Sequence, residues 1–249
     1  MEIEHHAHHP EAPVHKKNWK SYIREFLMLF LAVFFGFLAE NQREDMIDHQ
    51  LEEEYVVSFI QDLKIDTANL GAYIIKRAEK RILMDSLTFL LTTGQHKKMG
   101  NAAYYFARLV YDGAPFVSTD GTMQQLKAGN LRLIRNEKVV NAILDYDTKV
   151  KALKEWDEAD NKIRITFREI GGSIFKADIF YKMADTTLHF SRPDNNPQLI
   201  TDDPVAVNNV AFQVQYLSVM TLGNYRRGIK TRANAADLIR FLKKEYKIN

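Results

Sequence analysis

Among the 249 residues there is no cysteine. Disulfides, thiolate metal sites and cysteine nucleophiles are therefore excluded. Proline and glycine are scarce, at six and eleven residues. A β fold of many short strands needs both at its turns, so their shortage points to long helices. Neither sign of charge dominates: 34 basic residues face 32 acidic ones, for a net charge of +2. That balance offers no general basis for nucleic-acid binding. The catalytic signatures G-x-x-x-x-G-K-[ST], G-x-S-x-G and H-E-x-x-H are missing, and with them the phosphate cradle, the strained serine turn and the zincin site. Asp157-Glu158-Ala159-Asp160 spells a helicase-like string. Without a phosphate-binding loop it reads as a coincidence on a solvated helix face. No catalysis and no cofactor are expected.

One stretch stands out against this background. Phe26 to Ala39, FLMLFLAVFFGFLA, is fourteen residues without a charge, and ten of them are Phe, Leu or Val. A helix of that length rises only about 21 Å, short of a bilayer core of about 30 Å. Trp19, Lys20, Tyr22, Ile23 and Arg24 supply the missing length. The aromatic residues suit the headgroup layer, and Lys and Arg snorkel out to it. Central Phe, Leu and Val each favour insertion by roughly 0.3–0.6 kcal/mol, so ten contribute about 3–6 kcal/mol. The run is apolar on every face, unlike a surface helix. Residues 19–41 are accordingly predicted to be a transmembrane anchor, with Trp19, Tyr22, Arg24 and Phe30 as anchoring residues. Ala32 and Gly36 form a small-x-x-x-small pair that allows close helix approach. A cleaved signal peptide fits less well, because Phe37 to Asn41 contains no Ala-x-Ala step. No second apolar run approaches membrane length, so a single pass is expected.

Charge sets the expected orientation. Lys16, Lys17, Lys20 and Arg24 precede the run, whereas Glu40, Glu44, Asp45 and Asp48 follow it with Arg43 alone against them. Lys and Arg favour the cytoplasmic side, so the N-terminus is expected in the cytoplasm and residues 42–249 in the periplasm. Residues 1–18 read as a disordered cytoplasmic tail. It holds His5, His6, His8, His9 and His15. Imidazoles can bind zinc, nickel or copper, and the first four are the candidate metal ligands. A flexible, weakly basic tail is the simpler account of them, since nothing in the tract supplies fixed geometry.

Beyond the anchor the period is helical throughout. Ile47, Leu51, Tyr55, Phe59 and Leu63 recur at four-residue steps, predicting a helix from 40 to 67. Its other face carries Glu44, Asp48, Glu52 and Asp62, and Glu52-Glu53-Glu54 reads as solvated. A second stripe, through Leu70, Ile74, Ala78, Ile82, Leu83, Leu87 and Leu90, predicts a helix from 67 to 92 that stops at Gly94. The two could form one helix or a hairpin. A third helix is expected over 101–111, its aromatics Tyr104, Tyr105, Phe106 and Tyr111 serving the core. Ser118 or Thr119 is the expected cap of a short helix ending at Lys127, with a tight turn at Gly129-Asn130. Asn136 is expected to cap a long helix to about Ile170, carrying Val139, Ile143, Tyr146, Val150, Leu153 and Trp156 at spacings of three, four or seven. Arg132 and Arg135 could clamp an anion, although pairing with a carboxylate or with helix-end carbonyls is the simpler role. Further helices are expected over 173–184 and from Val205 towards Tyr246, the latter capped by Asp203 and opened by Pro204.

The His-rich start, KKNW, EFLMLFLAVFFGFLAEN and LKAGNLRLIRN together resemble a group of single-pass inner-membrane proteins of Bacteroidota. The resemblance covers about 15–45 and 122–146. It implies an inner-membrane anchor and a helical exterior domain, and it brings no catalytic residues.

The sequence thus predicts an all-α protein: one transmembrane helix followed by a long-helix bundle with coiled-coil-like packing. Leu51, Phe59, Ile143, Val150 and Trp156 are the expected helical interface. The expected partners are the lipid bilayer, further copies of the chain and other envelope proteins, not nucleic acid. The expected function is that of a scaffold or accessory subunit. A ligand-binding sensor, or an oligomeric channel or metal-handling assembly, is the alternative.

Overall fold

A computed structural model describes residues 18–248. The described chain is helical, with an isolated antiparallel bridge between Ala184 and Phe190 and no named strand. The helices are α1 (Trp19–Thr92), α2 (Gly100–Val110), α3 (Gly121–Lys127), α4 (Glu137–Gly171), α5 (Ala177–Met183) and α6 (Pro204–Glu245). The two stripes expected over 40–92 lie on a single helix, since nothing between Ile65 and Gly71 breaks the backbone. Gly94 ends that run with φ +70°, a conformation in which a Cβ is strained. Gly129, at φ +127°, makes the tight turn after α3. Asn136 caps α4 by accepting from the Lys138 N–H at 2.9 Å. Asp203 caps α6 by accepting from Ala206 N–H at 3.0 Å, with Pro204 opening the helix.

The chain divides into two compact units, 1–51 and 52–249. In the described part of the first, Ser21 is half-buried and every other residue is exposed. Phe26, Phe30 and Phe34, one helical turn apart, stack with ring centroids 6.3 and 5.9 Å apart.

The second unit is organised by three long helical segments: α1 from Glu52 onward, α4 and α6. Contacts from Asp66 to Tyr146 and from Arg77 to Asp160 show that α4 runs parallel to α1. Contacts from Tyr246 to Glu52 and from Ser218 to Asp85 show that α6 runs antiparallel to it. Two apolar cores form along these helices. One gathers Phe59, Leu63, Ile143, Leu153 and Leu238 around α1, α4 and the end of α6. The other gathers Leu87, Tyr104, Phe167, Phe175 and Val214, with α2 and α5 packed across it.

Several sequence expectations need correction. Ile82, expected in the core stripe, is 66% exposed, while Tyr73, Arg77 and Met84 are buried. The buried face is rotated because a tyrosine and an arginine, each held by a partner on α4, occupy core positions that a purely apolar stripe skips. Glu52 is buried, not solvated: it accepts from the Arg135 N–H at 3.0 Å and from the Tyr246 hydroxyl at 2.6 Å. Neither Ser118 nor Thr119 caps α3. Its N-cap is Asp120, and the Thr119 N–H is taken by Asp66. The helix expected over 173–184 shortens to α5, since Ser173 and Ile174 close a turn after α4 instead.

Candidate functional site

Between the two apolar cores, a layer of polar side chains crosses the second unit. α1 contributes Tyr73 and Arg77, α4 contributes Asp157, Asp160 and Arg164, and α6 contributes Asn224. Arg77 and Arg164 are each 1% exposed, and Asp160 is equally buried. Arg77 donates to Asp157 at 2.6 Å and to Asp160 at 2.9 Å. Arg164, one turn beyond Asp160, donates to the same carboxylate oxygen at 2.9 Å. Asp157 also accepts from the Tyr73 hydroxyl at 2.7 Å, the Phe116 N–H at 2.8 Å and the Asn224 amide at 3.2 Å. Burial pushes its carboxyl above the ordinary aspartate range, opposed by the charge of Arg77 and by the hydrogen bonds from Phe116 and Tyr73.

The geometry follows from helical spacing. Asp157, Asp160 and Arg164 are three and four residues apart, so they share one face of α4. Gly228 lets α6 come close to α1 at this level: a Cβ there would lie 3.1 Å from the Tyr73 ring. The layer also holds the 110–117 connection. Arg164 donates to the carbonyls of Val110 and Asp112, Phe116 N–H is tied to Asp157, and Lys80 donates to the Leu109 carbonyl at 2.6 Å.

Next to this layer lies a cavity of about 450 Å³. Arg77, Asp157, Asp160 and Arg164 are among the residues that border it. Glu158, Asn161 and Arg168 of α4 also line it, as do Tyr111, Pro115 and Phe116 of the 110–117 connection. Within the layer, Arg77 Nε, Arg164 Nη2 and Asp160 Oδ1 have no partner from the protein. Among the described residues, no group of three or more His, Asp or Glu side chains could hold a metal ion.

No known protein family, curated protein or solved structure matches this chain.

The residues singled out from sequence fall in different places. Trp19, Tyr22, Arg24, Phe30, Ala32 and Gly36 all lie on the exposed first part of α1, and a Cβ at Gly36 would meet nothing within 4 Å. Phe59, Ile143 and Val150 are brought together in one apolar core, with Phe59 edge-on to Tyr146 at 6.4 Å. Leu51 stays outside it, and Trp156 is 40% exposed. The Trp156 indole is covered by Arg227 at 3.8 Å, a cation–π contact instead of helix-core packing. His5, His6, His8 and His9 lie outside the described residues. Sequence reasoning missed the polar layer. Its signal was Asp157 and Asp160 standing two turns and one turn before Arg164, in phase with the apolar positions Leu153 and Phe167. The DEAD string is therefore no solvated face: two of its three acids are buried in ion pairs.

A second buried carboxylate, Asp66, ties α1 to α4 and to the segment before α3. It accepts from the Tyr146 hydroxyl and from the Thr119 N–H, both at 2.6 Å. Burial raises its pKa above the ordinary value of 3.8, while the bonds from Tyr146 and Thr119 oppose the shift. A carboxyl with a raised folded-state pKa binds its proton more tightly when folded. Its contribution to stability is present below the unfolded pKa and is lost as pH rises through the folded one. Asp66→Asn keeps a carbonyl acceptor for Thr119 without the titrating charge. Between about pH 4 and pH 7 the variant is expected to gain stability relative to the parent, read as the difference between their denaturant midpoints. A difference independent of pH would show that Asp66 does not titrate in this range.

Proposed function

We propose that the protein is a scaffold or accessory subunit of an envelope protein complex, without catalytic activity. In this reading residues 19–41 anchor it in a bacterial inner membrane, the N-terminus faces the cytoplasm, and residues 42–249 stand in the periplasm. The observation that carries the proposal is the first part of α1. It is long and apolar enough to cross a membrane, and none of its apolar window is covered by the chain itself. A contiguous apolar surface of that size marks a membrane or protein contact. The charge step across it, basic before and acidic after, supports the orientation. The three-helix arrangement behind Glu52, tied by buried ion pairs, suits a body that presents surfaces to partners.

Purification from native membranes in mild detergent tests this directly. The protein is expected in the carbonate-resistant membrane fraction and in a complex of defined mass with other envelope proteins. Recovery as a lone monomer would refute the scaffold role. Orientation can be read separately, because the chain has no cysteine of its own. A single exposed reporter, Lys230→Cys, is expected to react with a membrane-impermeant maleimide once the outer envelope is permeabilised, and protection from the reagent would invert the topology. Gly36→Leu places a bulky side chain on the open small-residue face. Reduced complex size in mild detergent is expected, and an unchanged size would remove that face from the assembly.

A further inference from the structure

Within the second unit, α1 and α6 carry an apolar strip that no other part of the chain covers. Ile75, Ile82 and Phe89 recur at seven-residue steps on α1, and Phe212 and Val219 do so on α6, with Tyr216 between them. Seven residues make about two helical turns, so each series keeps to one side of its helix. All six side chains are more than half exposed. The core takes the other side of each helix, through Met84 and Leu87 of α1 and Val214 and Leu217 of α6. The two helices run antiparallel, with Ser218 against Asp85 and Gly228 close to Tyr73 and Ile74. Phe89 therefore stands within a turn of the level of Phe212 and Tyr216, and Ile82 within a turn of the level of Val219. Together the six side chains offer about 600 Å², the lower end of what each partner gives to a stable protein–protein interface.

Two charges accompany the strip. Glu79 lies four residues after Ile75 and three before Ile82, and Arg226 takes the next seven-residue step after Val219. By the same contacts they stand within a turn of one level. Both are exposed, and among the described residues neither has an ion-pair partner. A second copy turned about a two-fold axis along the helices lays α1 of each chain on α6 of the other and keeps every level opposite itself. Ile82 then meets Val219 of the other copy, Phe89 meets its Phe212, and Glu79 meets its Arg226. The strip is thus complementary to itself in shape of pattern and in charge.

We propose that this face joins two copies of the chain, with α1 of each against α6 of the other and two symmetric Glu79–Arg226 ion pairs at the rim. The proposal adds a surface and a partner to the scaffold reading without resting on it, since every group in it belongs to the second unit. The absence of cysteine makes the test direct. Two differently tagged full-length chains, one carrying Ile82→Cys and the other Val219→Cys, are co-expressed and oxidised. A disulfide joining the two tags is expected, well above that formed between two Ile82→Cys chains. Pairing through residues 19–41 alone would give no such preference. Glu79→Arg and Arg226→Glu each set like charges opposite one another at two symmetric points, so each is expected to weaken the pairing by about tenfold or more, read as lost mixed disulfide. Combined in one chain, they restore opposite charges and are expected to return the disulfide to near the parent level. All four substituted side chains are exposed, so the variants are expected to keep the parent Tm. A mixed disulfide no stronger than the Ile82→Cys product, or a failed rescue by the double charge reversal, would overturn the two-copy face. If the cysteines instead capture a different envelope protein, the proposal is overturned while the scaffold reading stands.

Discussion

Arg77→Ala is expected to lower the free energy of unfolding by about 3–5 kcal/mol, the range found when one member of a buried ion pair is removed. The argument lies in what the substitution leaves behind. Asp157 and Asp160 are both buried and both take hydrogen bonds from Arg77. Without the guanidinium, Asp157 keeps only neutral donors and Asp160 keeps only Arg164. Two carboxylates on one helix face then share a single buried cation. Their repulsion and their lost solvation oppose folding together. For a domain of this size the loss corresponds to a fall in Tm of about 6–20 °C. Combining Arg77→Met with Asp157→Asn removes the stranded charge and leaves Asp160 paired with Arg164, so it is expected to recover much of the loss. Thermal and denaturant unfolding of the two variants decides the matter. If the single and double variants are equally destabilised, the layer acts through packing and not through charge.

The second large effect concerns the proposed anchor. Replacing both Phe30 and Phe34 by arginine is expected to abolish stable membrane residence. Each change gives up an apolar gain of about 0.3–0.6 kcal/mol and adds a central-charge cost of about 2.5–3.5 kcal/mol. The pair therefore shifts insertion by about 6–8 kcal/mol, more than the 3–6 kcal/mol expected from the whole apolar run. Snorkelling cannot rescue both side chains, because the substituted positions lie towards the middle of the run. The protein should leave the carbonate-resistant fraction and be degraded or aggregate. The folded body is a separate matter. Phe30 and Phe34 belong to the first unit and are members of neither apolar core of the second. Retention of the double variant in the membrane at the parent level would refute the anchor.

Helix positions and ends were legible in the sequence wherever the cause is local. Asn136 caps α4 and Asp203 with Pro204 opens α6, because a side-chain acceptor near free N–H groups and a fixed proline φ act within a few residues. Gly94 stops α1 for an equally local reason. The apolar run from Phe26 to Ala39 needs no tertiary context either, since its character comes from composition and length. The shortened α5 shows the limit of this reasoning. Ile174 and Phe175, apolar enough to pass for helix-face residues, lie in the turn that precedes it and are buried against the α2 aromatics, with Phe175 edge-on to Tyr104 at 5.1 Å.

What only the tertiary structure decided is the fate of the charges. Glu52, Asp66, Arg77, Asp157, Asp160 and Arg164 have no sequence mark that separates them from exposed acids and bases nearby. A charged residue is buried only when its partners arrive with it, and here the partners lie about eighty residues away for Asp66 with Tyr146 and for Arg77 with its two aspartates. The sequence by itself determined that the chain is helical, where most helices end, and that one stretch is long and apolar enough to cross a membrane. The packing of α1, α4 and α6 determined which ionic groups meet, where the two cores divide and where a cavity opens. Periodicity and capping act along a few residues of one chain segment, whereas desolvation and ion pairing depend on what stands opposite, and that is known only once the helices have come together.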